Sequence, residues 1–198
     1  MAKKMNSLLS VVVLASVFFG GVLSQPKPDD ASCLTANNKK PKECCKAPMP
    51  VDEATMTRCA TENPKIPPTP GAPKTEGCCL AQCVTTTVNI FKNNAIDAEA
   101  AKTALAATTG SDPAFAPLIG PIVDECASKV NADQALKATP VSAVPGKTPC
   151  SFIPEAFIGC VELQLLQKCP AASWNDNADC QSLRQKAASG CSFSSLMK

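Results

Sequence analysis

Histidine and tyrosine are both absent from the 198 residues of this chain. Their absence removes every Ser/His/Asp and Cys/His catalytic arrangement, every His-ligated metal site and the usual general base near neutral pH. Aromatic residues make up only 4% of the chain, so the core has few of the large rings that fill space efficiently. Charge of one sign is missing too. The formal net charge is +2, and Lys3 and Lys4 lie in a segment expected to be removed, which leaves a balanced surface with no electrostatic reason to bind nucleic acid or an anionic membrane. No apolar run beyond the N-terminal segment reaches the ~18 residues of a membrane span, so membrane insertion is not expected. There is no phosphate-binding glycine loop, no Asn-x-Ser/Thr acceptor and no calcium-loop spacing. Asp124 and Glu125 are neighbours on a helical segment and point about 100° apart, unlike the paired carboxylates of a glycosidase. The chain reads as a non-enzyme that calls for no cofactor and no metal.

Cysteine is what the chain has in excess: thirteen in 20.5 kDa. Residues 1–24 carry Lys3 and Lys4, an apolar run over residues 8–19 and small residues before Gln25-Pro26, the layout of a secretory signal peptide. An uncleaved anchor is the competing reading, disfavoured because the run is short. Secretion puts the cysteines where bridges form and persist. A reduced metal-thiolate protein is disfavoured by the same export signal and by the lack of repeated CxxC knuckles.

Residues 25–198 then read as one domain in three parts: a cysteine-containing, Pro-rich extension over 25–74, a helical core over 75–170 and a C-terminal helix with its tail over 171–198. In the extension only residues 52–61 look helical. Residues 64–73 hold five prolines in ten positions and should form an extended connector. Leu80, Val84, Val88 and Phe91 recur at helical spacing over residues 75–91. Asp97 should cap a helix running to about Thr108 and stopped by Gly110. Pro113, Pro117 and Pro121 are expected to break the following stretch into short turns before a helix over residues 122–130. Residues 139–149 read as a second connector. Residues 154–169 form the central helix, with Ile158, Val161 and Leu165 on one side and Ala156 and Leu163 on another. A last helix should run from Asn175 or Asp176 to Ser189 and stop at Gly190. No period-two strand pattern is evident. The expected fold is all-α, a disulfide-stapled bundle of about six to eight helices around an apolar cavity.

From Cys79 the cysteines follow at intervals of three residues to Cys83, forty-two to Cys126, twenty-three to Cys150, nine to Cys160, eight to Cys169-Pro170 and ten to Cys180. This pattern resembles the insect odorant-binding proteins, and Cys169-Pro170 with the extra cysteines resembles their enlarged Plus-C subgroup. The stretch from Cys83-Val84 through Asn93-Asn94-Ala95-Ile96-Asp97 is similar to the helix, turn and capped helix between two of that family's core cysteines. Carried over, the family pairing implies Cys79 with Cys160 and Cys126 with Cys169. Cys83 would join Cys59 or one of Cys44 and Cys45, and Cys33, Cys78, Cys150, Cys180 and Cys191 would supply the rest. Twelve can pair and one cannot. Each closed loop contributes roughly 2–4 kcal/mol by restricting the unfolded chain.

Bridged helices need not collapse fully onto one another, which leaves room for a cavity. The expected apolar lining is Phe91, Leu105, Phe115, Leu118, Ile119, Ile122, Val123, Phe152, Phe157, Ile158, Val161 and Leu165. Such a lining suits a small hydrophobic ligand held by burial. The resemblance implies a secreted carrier of odorants, pheromones or lipid-like molecules in extracellular fluid, with a chemosensory receptor as a further partner, acting as monomer or homodimer. The alternative is a secreted disulfide-rich protein that works by contact with another protein, as an inhibitor or a structural secretory component. Lacking His, and with no acid read on the apolar stripes of the central helix, the carrier is expected to change affinity by less than about threefold between pH 5.5 and 7.5.

Overall fold

The computed structural model describes residues 33, 39–47, 51–64, 77–109, 112–138 and 149–196. The expected signal segment, residues 65–73 of the first connector and residues 139–148 of the second lie outside them. Nine α-helices occur among the described residues: α1 (Pro41–Cys44), α2 (Glu53–Glu62), α3 (Cys78–Thr87), α4 (Ala98–Thr109), α5 (Ala116–Ala132), α6 (Gln134–Ala138), α7 (Ile153–Gln167), α8 (Ala178–Ala188) and α9 (Phe193–Leu196). The all-α, disulfide-stapled expectation holds, with one addition. Strands β1 (Phe91–Lys92) and β2 (Ala95–Ile96) pair antiparallel as a two-residue hairpin.

Caps explain most helix starts. The Asp52 carboxylate accepts from the Thr55 N–H at 2.8 Å to open α2, and Asp97 accepts from the Ala100 N–H at 3.0 Å to open α4. The last long helix begins at Ala178 rather than at Asn175 or Asp176, because Asn177 is the cap and accepts from the Cys180 N–H at 2.9 Å. Gly190, at φ 94°, ends that segment in a conformation that side chains disfavour.

Two expectations fail for backbone reasons. The helix over residues 75–91 is shorter than its apolar stripe implies, since Asn89 turns to φ 59° just after α3 and Phe91 enters β1. Asn93 and Asn94 follow at φ 53° and 57°, the left-handed pair of a two-residue hairpin that Asn tolerates better than other side chains. In the second case Pro117 and Pro121 do not break the chain into turns; both lie within α5. Pro117 is in the first turn, where its missing N–H costs nothing, and exposed Pro121 forfeits one early hydrogen bond. The buried face formed by Ile119, Ile122, Val123, Cys126, Ala127 and Val130 outweighs that loss.

Helix α7 is the hub, packed against α3, α5, α8, α9 and β2. Its buried residues Ile153, Pro154, Phe157, Val161, Gln164, Leu165 and Leu166 span more than one side, as a helix enclosed by others requires.

The bridges join Cys33–Cys191, Cys44–Cys180, Cys45–Cys169, Cys59–Cys83, Cys79–Cys150 and Cys126–Cys160. Cys83 thus takes Cys59 from the candidates open to it. The other two family pairings are corrected. Cys79, in the first turn of α3, meets Cys150 just ahead of α7, with Cα atoms 5.1 Å apart, and not Cys160. Cys126 on α5 faces the middle of α7, where Cys160 lies at 5.8 Å, and not Cys169. Nine residues of helical rise, ~13 Å, separate Cys160 from Cys169, so a cysteine that reaches one is out of range of the other. Cys169 pairs instead with Cys45, and Cys44 with Cys180, which ties α1 to the C-terminal third. Peptide mapping of the oxidised protein is expected to return the Cys79–Cys150 and Cys126–Cys160 links; recovery of a Cys79–Cys160 peptide would contradict this arrangement.

Candidate functional site: an apolar cavity beside the central helix

A cavity of about 270 Å³ opens between α7 and the segments that cross it. Six of its lining residues come from α7: Phe157, Ile158, Val161, Glu162, Leu165 and Leu166. They form two adjacent stripes at i, i+4, i+8, namely 157/161/165 and 158/162/166, so one broad face of the helix is turned to the cavity. Val84 and Thr85 of α3, Ile90, Leu105 of α4 and Phe193 of α9 close the sides. The Thr85 hydroxyl donates to its own helix at Ala81 O, 2.8 Å away, so its proton is already committed.

The remaining wall comes from the N-terminal part: Lys40, Pro41, Lys42, Cys45, Ala47 and Val51. This short segment has almost no apolar face of its own. It is held by the Cys44 and Cys45 bridges, by the Lys46 N–H donating to Ser173 O at 3.1 Å and by the Asn175 N–H donating to Cys44 O at 2.8 Å. The region it docks on is itself braced by the Arg184 guanidinium, 3.5 Å above the Trp174 ring. Lys40 and Lys42 are exposed and stand at the rim.

Of the twelve residues expected to line a cavity, Leu105, Phe157, Ile158, Val161 and Leu165 lie on this wall. The other seven do not. Phe115, Ile119, Ile122 and Val123 are packed in the core around α5, and Phe91 and Leu118 rest against that core. Phe152 covers the Cys78/Cys150 cluster. Their apolar character is the same as that of the lining residues; helix-to-helix packing claims them first.

Glu162, which the sequence offers with Glu155 and Asp124 as a candidate pH-sensitive carboxylate but not as a residue of the apolar stripes, lines the cavity. It sits between Ile158 and Leu166 on one stripe, four residues from each, and that spacing was available as a signal. No hydrogen bond or ion pair holds it among the described residues. Burial raises its carboxyl to about 7. The expectation that the central helix brings no acid to the cavity is therefore overturned.

A second cluster lies at the start of α7. The sulfurs of Cys78, Cys79 and Cys150 are within 4.8 Å of one another, but Cys79 and Cys150 are bridged and offer no thiolates for a metal. Burial pushes the Cys78 thiol up, and the neighbouring Glu155 adds to the effect. Glu155 is itself raised by burial, with Oε2 lacking a hydrogen-bond partner among the described residues. It fits there because residue 77 is glycine: a Cβ at Gly77 would stand 3.0 Å from Glu155 Oε1.

A family model described as AgamOBP47-like matches residues 48–186. General odorant-binding protein 67 of Anopheles gambiae is 27% identical over 191 residues, covering 94% of this chain and 91% of the relative. Odorant-binding protein 47 of the same organism is 28% identical over 189 residues, covering 89% of this chain and 77% of the relative.

Proposed function

Because the chain belongs to the AgamOBP47-like family of odorant-binding proteins, we propose that it is a non-enzymatic carrier that takes up one small hydrophobic molecule in the α7 cavity and transports it through extracellular fluid. The observation that carries this reading is the cavity itself, whose wall is mainly aliphatic and aromatic, with Thr85 and a single carboxyl set into it and Lys40 and Lys42 at the rim. A volume of about 270 Å³ lies just under the ~300–1,000 Å³ of typical small-molecule pockets. This favours a compact volatile or a medium-length chain over a lipid with two acyl tails. The disulfides and the export signal fit secretion.

Affinity should come from area removed from water. In a homologous series of straight-chain alcohols displacing an environment-sensitive apolar dye, each added methylene contributes about 0.8 kcal/mol while the chain still fits. Affinity is then expected to rise about fourfold per carbon, reach a maximum and fall once the cavity is full. A flat series, or displacement at many sites per chain, would show that the dye reports a surface patch and would favour the contact-protein alternative.

A further inference from the structure

We infer that Glu162 is the group that selects the polar end of the ligand: it favours an uncharged molecule with an oxygen acceptor, such as an aldehyde, ketone or ester, and binds it with uptake of one proton. The inference rests on the carrier reading and deepens it. The geometry is simple. Glu162 sits midway along the α7 stripe that faces the cavity, with Ile158 one turn before it and Leu166 one turn after. It is the acidic residue among the lining side chains, and no protein donor satisfies it among the described residues.

A carboxyl in such a place has two states with opposite preferences. Protonated, it is uncharged and offers one O–H, which a carbonyl oxygen of the ligand accepts. Ionised, it is acceptor-only, and filling the cavity with an apolar ligand strips water from a charge that nothing replaces. An uncharged ligand therefore binds the protonated form. When the solution pH lies above the titration point, a proton from solvent must go onto a Glu162 oxygen as the ligand enters.

The neighbouring charges do not alter this. Lys40 and Lys42 share the cavity wall at its rim, yet burial alone accounts for the upward displacement of Glu162. Helix α5 carries Asp124, Glu125 and Lys129, of which Asp124 pairs with Lys102 and Glu125 with Lys129. Helix α8 carries Asp179, Arg184 and Lys186, and α7 itself carries Glu155; none of these lines the cavity. Helix α3 has no titratable residue besides its cysteines, and β2 and α9 have none at all.

The sign follows. A group titrating at about 7 is about nine-tenths protonated at pH 6 and about one-tenth at pH 8, so affinity for an uncharged ligand is expected to fall about tenfold between them. A protonated amine of the same chain length pairs with the carboxylate and should shift the other way.

The experiment displaces an uncharged apolar dye from the mature protein with nonanal, nonane and nonylamine at pH 6 and pH 8 in matched salt. Wild type is compared with Glu162→Gln, which keeps the shape and a donor without titrating, and with Glu162→Leu, which removes the polar group. Expected are a tenfold weaker nonanal at pH 8 in wild type, less than twofold change in Glu162→Gln, and loss of the nonanal-over-nonane preference in Glu162→Leu. Nonylamine should tighten from pH 6 to pH 8 in wild type alone. Equal nonanal affinity at both pH values in wild type, an undiminished pH dependence in Glu162→Gln, or a nonanal preference kept by Glu162→Leu would each overturn the inference while leaving the carrier reading intact. Failure of the dye to bind wild type at pH 6 would overturn both.

Discussion

Removing the Cys44–Cys180 and Cys45–Cys169 bridges together, by alanine at all four positions, is expected to lower apolar-dye affinity at least about thirtyfold and to reduce stability by at least about 2–4 kcal/mol. The stability term follows from bridges that span 136 and 124 residues of sequence, moderated because the two close nearly the same loop and the Cys33–Cys191 bridge still closes an overlapping one. The binding term is the larger claim. Cys45 lines the cavity itself and sits between Pro41 and Ala47, which line it too. This segment buries too little apolar surface to dock unaided. Its release opens one side of the cavity to water while α3, α4, α5 and α7 remain packed on each other. Helix content by circular dichroism should therefore change little, and dye affinity should change much. Wild-type affinity in the folded variant lacking both bridges would show that the α1 wall contributes nothing to the site.

A pair of substitutions, one ahead of α5 in the core and one on the α7 wall of the cavity, separates core from cavity. Phe115→Ala is expected to cost about 3–5 kcal/mol in chemical denaturation, as the truncation of a wholly buried ring does when its surroundings cannot collapse. Dye affinity of the folded fraction should stay within threefold of wild type, because Phe115 is not on the cavity wall. Ile158→Trp should behave in the opposite way. Ile158 is only partly buried in the native fold and lines the cavity, so an indole there occupies ligand space at a stability cost of about 1 kcal/mol or less. Dye affinity should drop at least tenfold. A large loss of stability in Ile158→Trp with binding preserved would mean that the cavity lies elsewhere.

Much of the architecture was legible because it is written locally. Asp52 and Asp97 announce their helices through carboxylates that cap orphan N–H groups, and Gly190 ends one through a φ that side chains avoid. The apolar spacing of residues 153–167 declares a helix enclosed by others, and the cysteine intervals carry the family resemblance that the match over residues 48–186 supports. The Asn93-Asn94 hairpin was equally local, yet strands of two residues are too short for a period-two pattern to register.

The amino-acid sequence by itself determined the helical class, the dependence on bridges, the family resemblance and the lack of histidine chemistry, since each of these follows from composition or from residues within a turn or two of one another. Only the tertiary structure decided which cysteine meets which, because a bridge depends on two Cα atoms lying within about 7 Å and intervals along the chain do not encode that distance. It alone separated Ile122 and Phe115, claimed by helix packing, from Ile158 and Leu165, left facing open space, although all four are equally apolar. It also turned Glu162 from an ordinary charged residue into the polar group of an apolar cavity. Burial there is set by the elements that cross α7, one of which is a disulfide-held segment more than a hundred residues away in sequence.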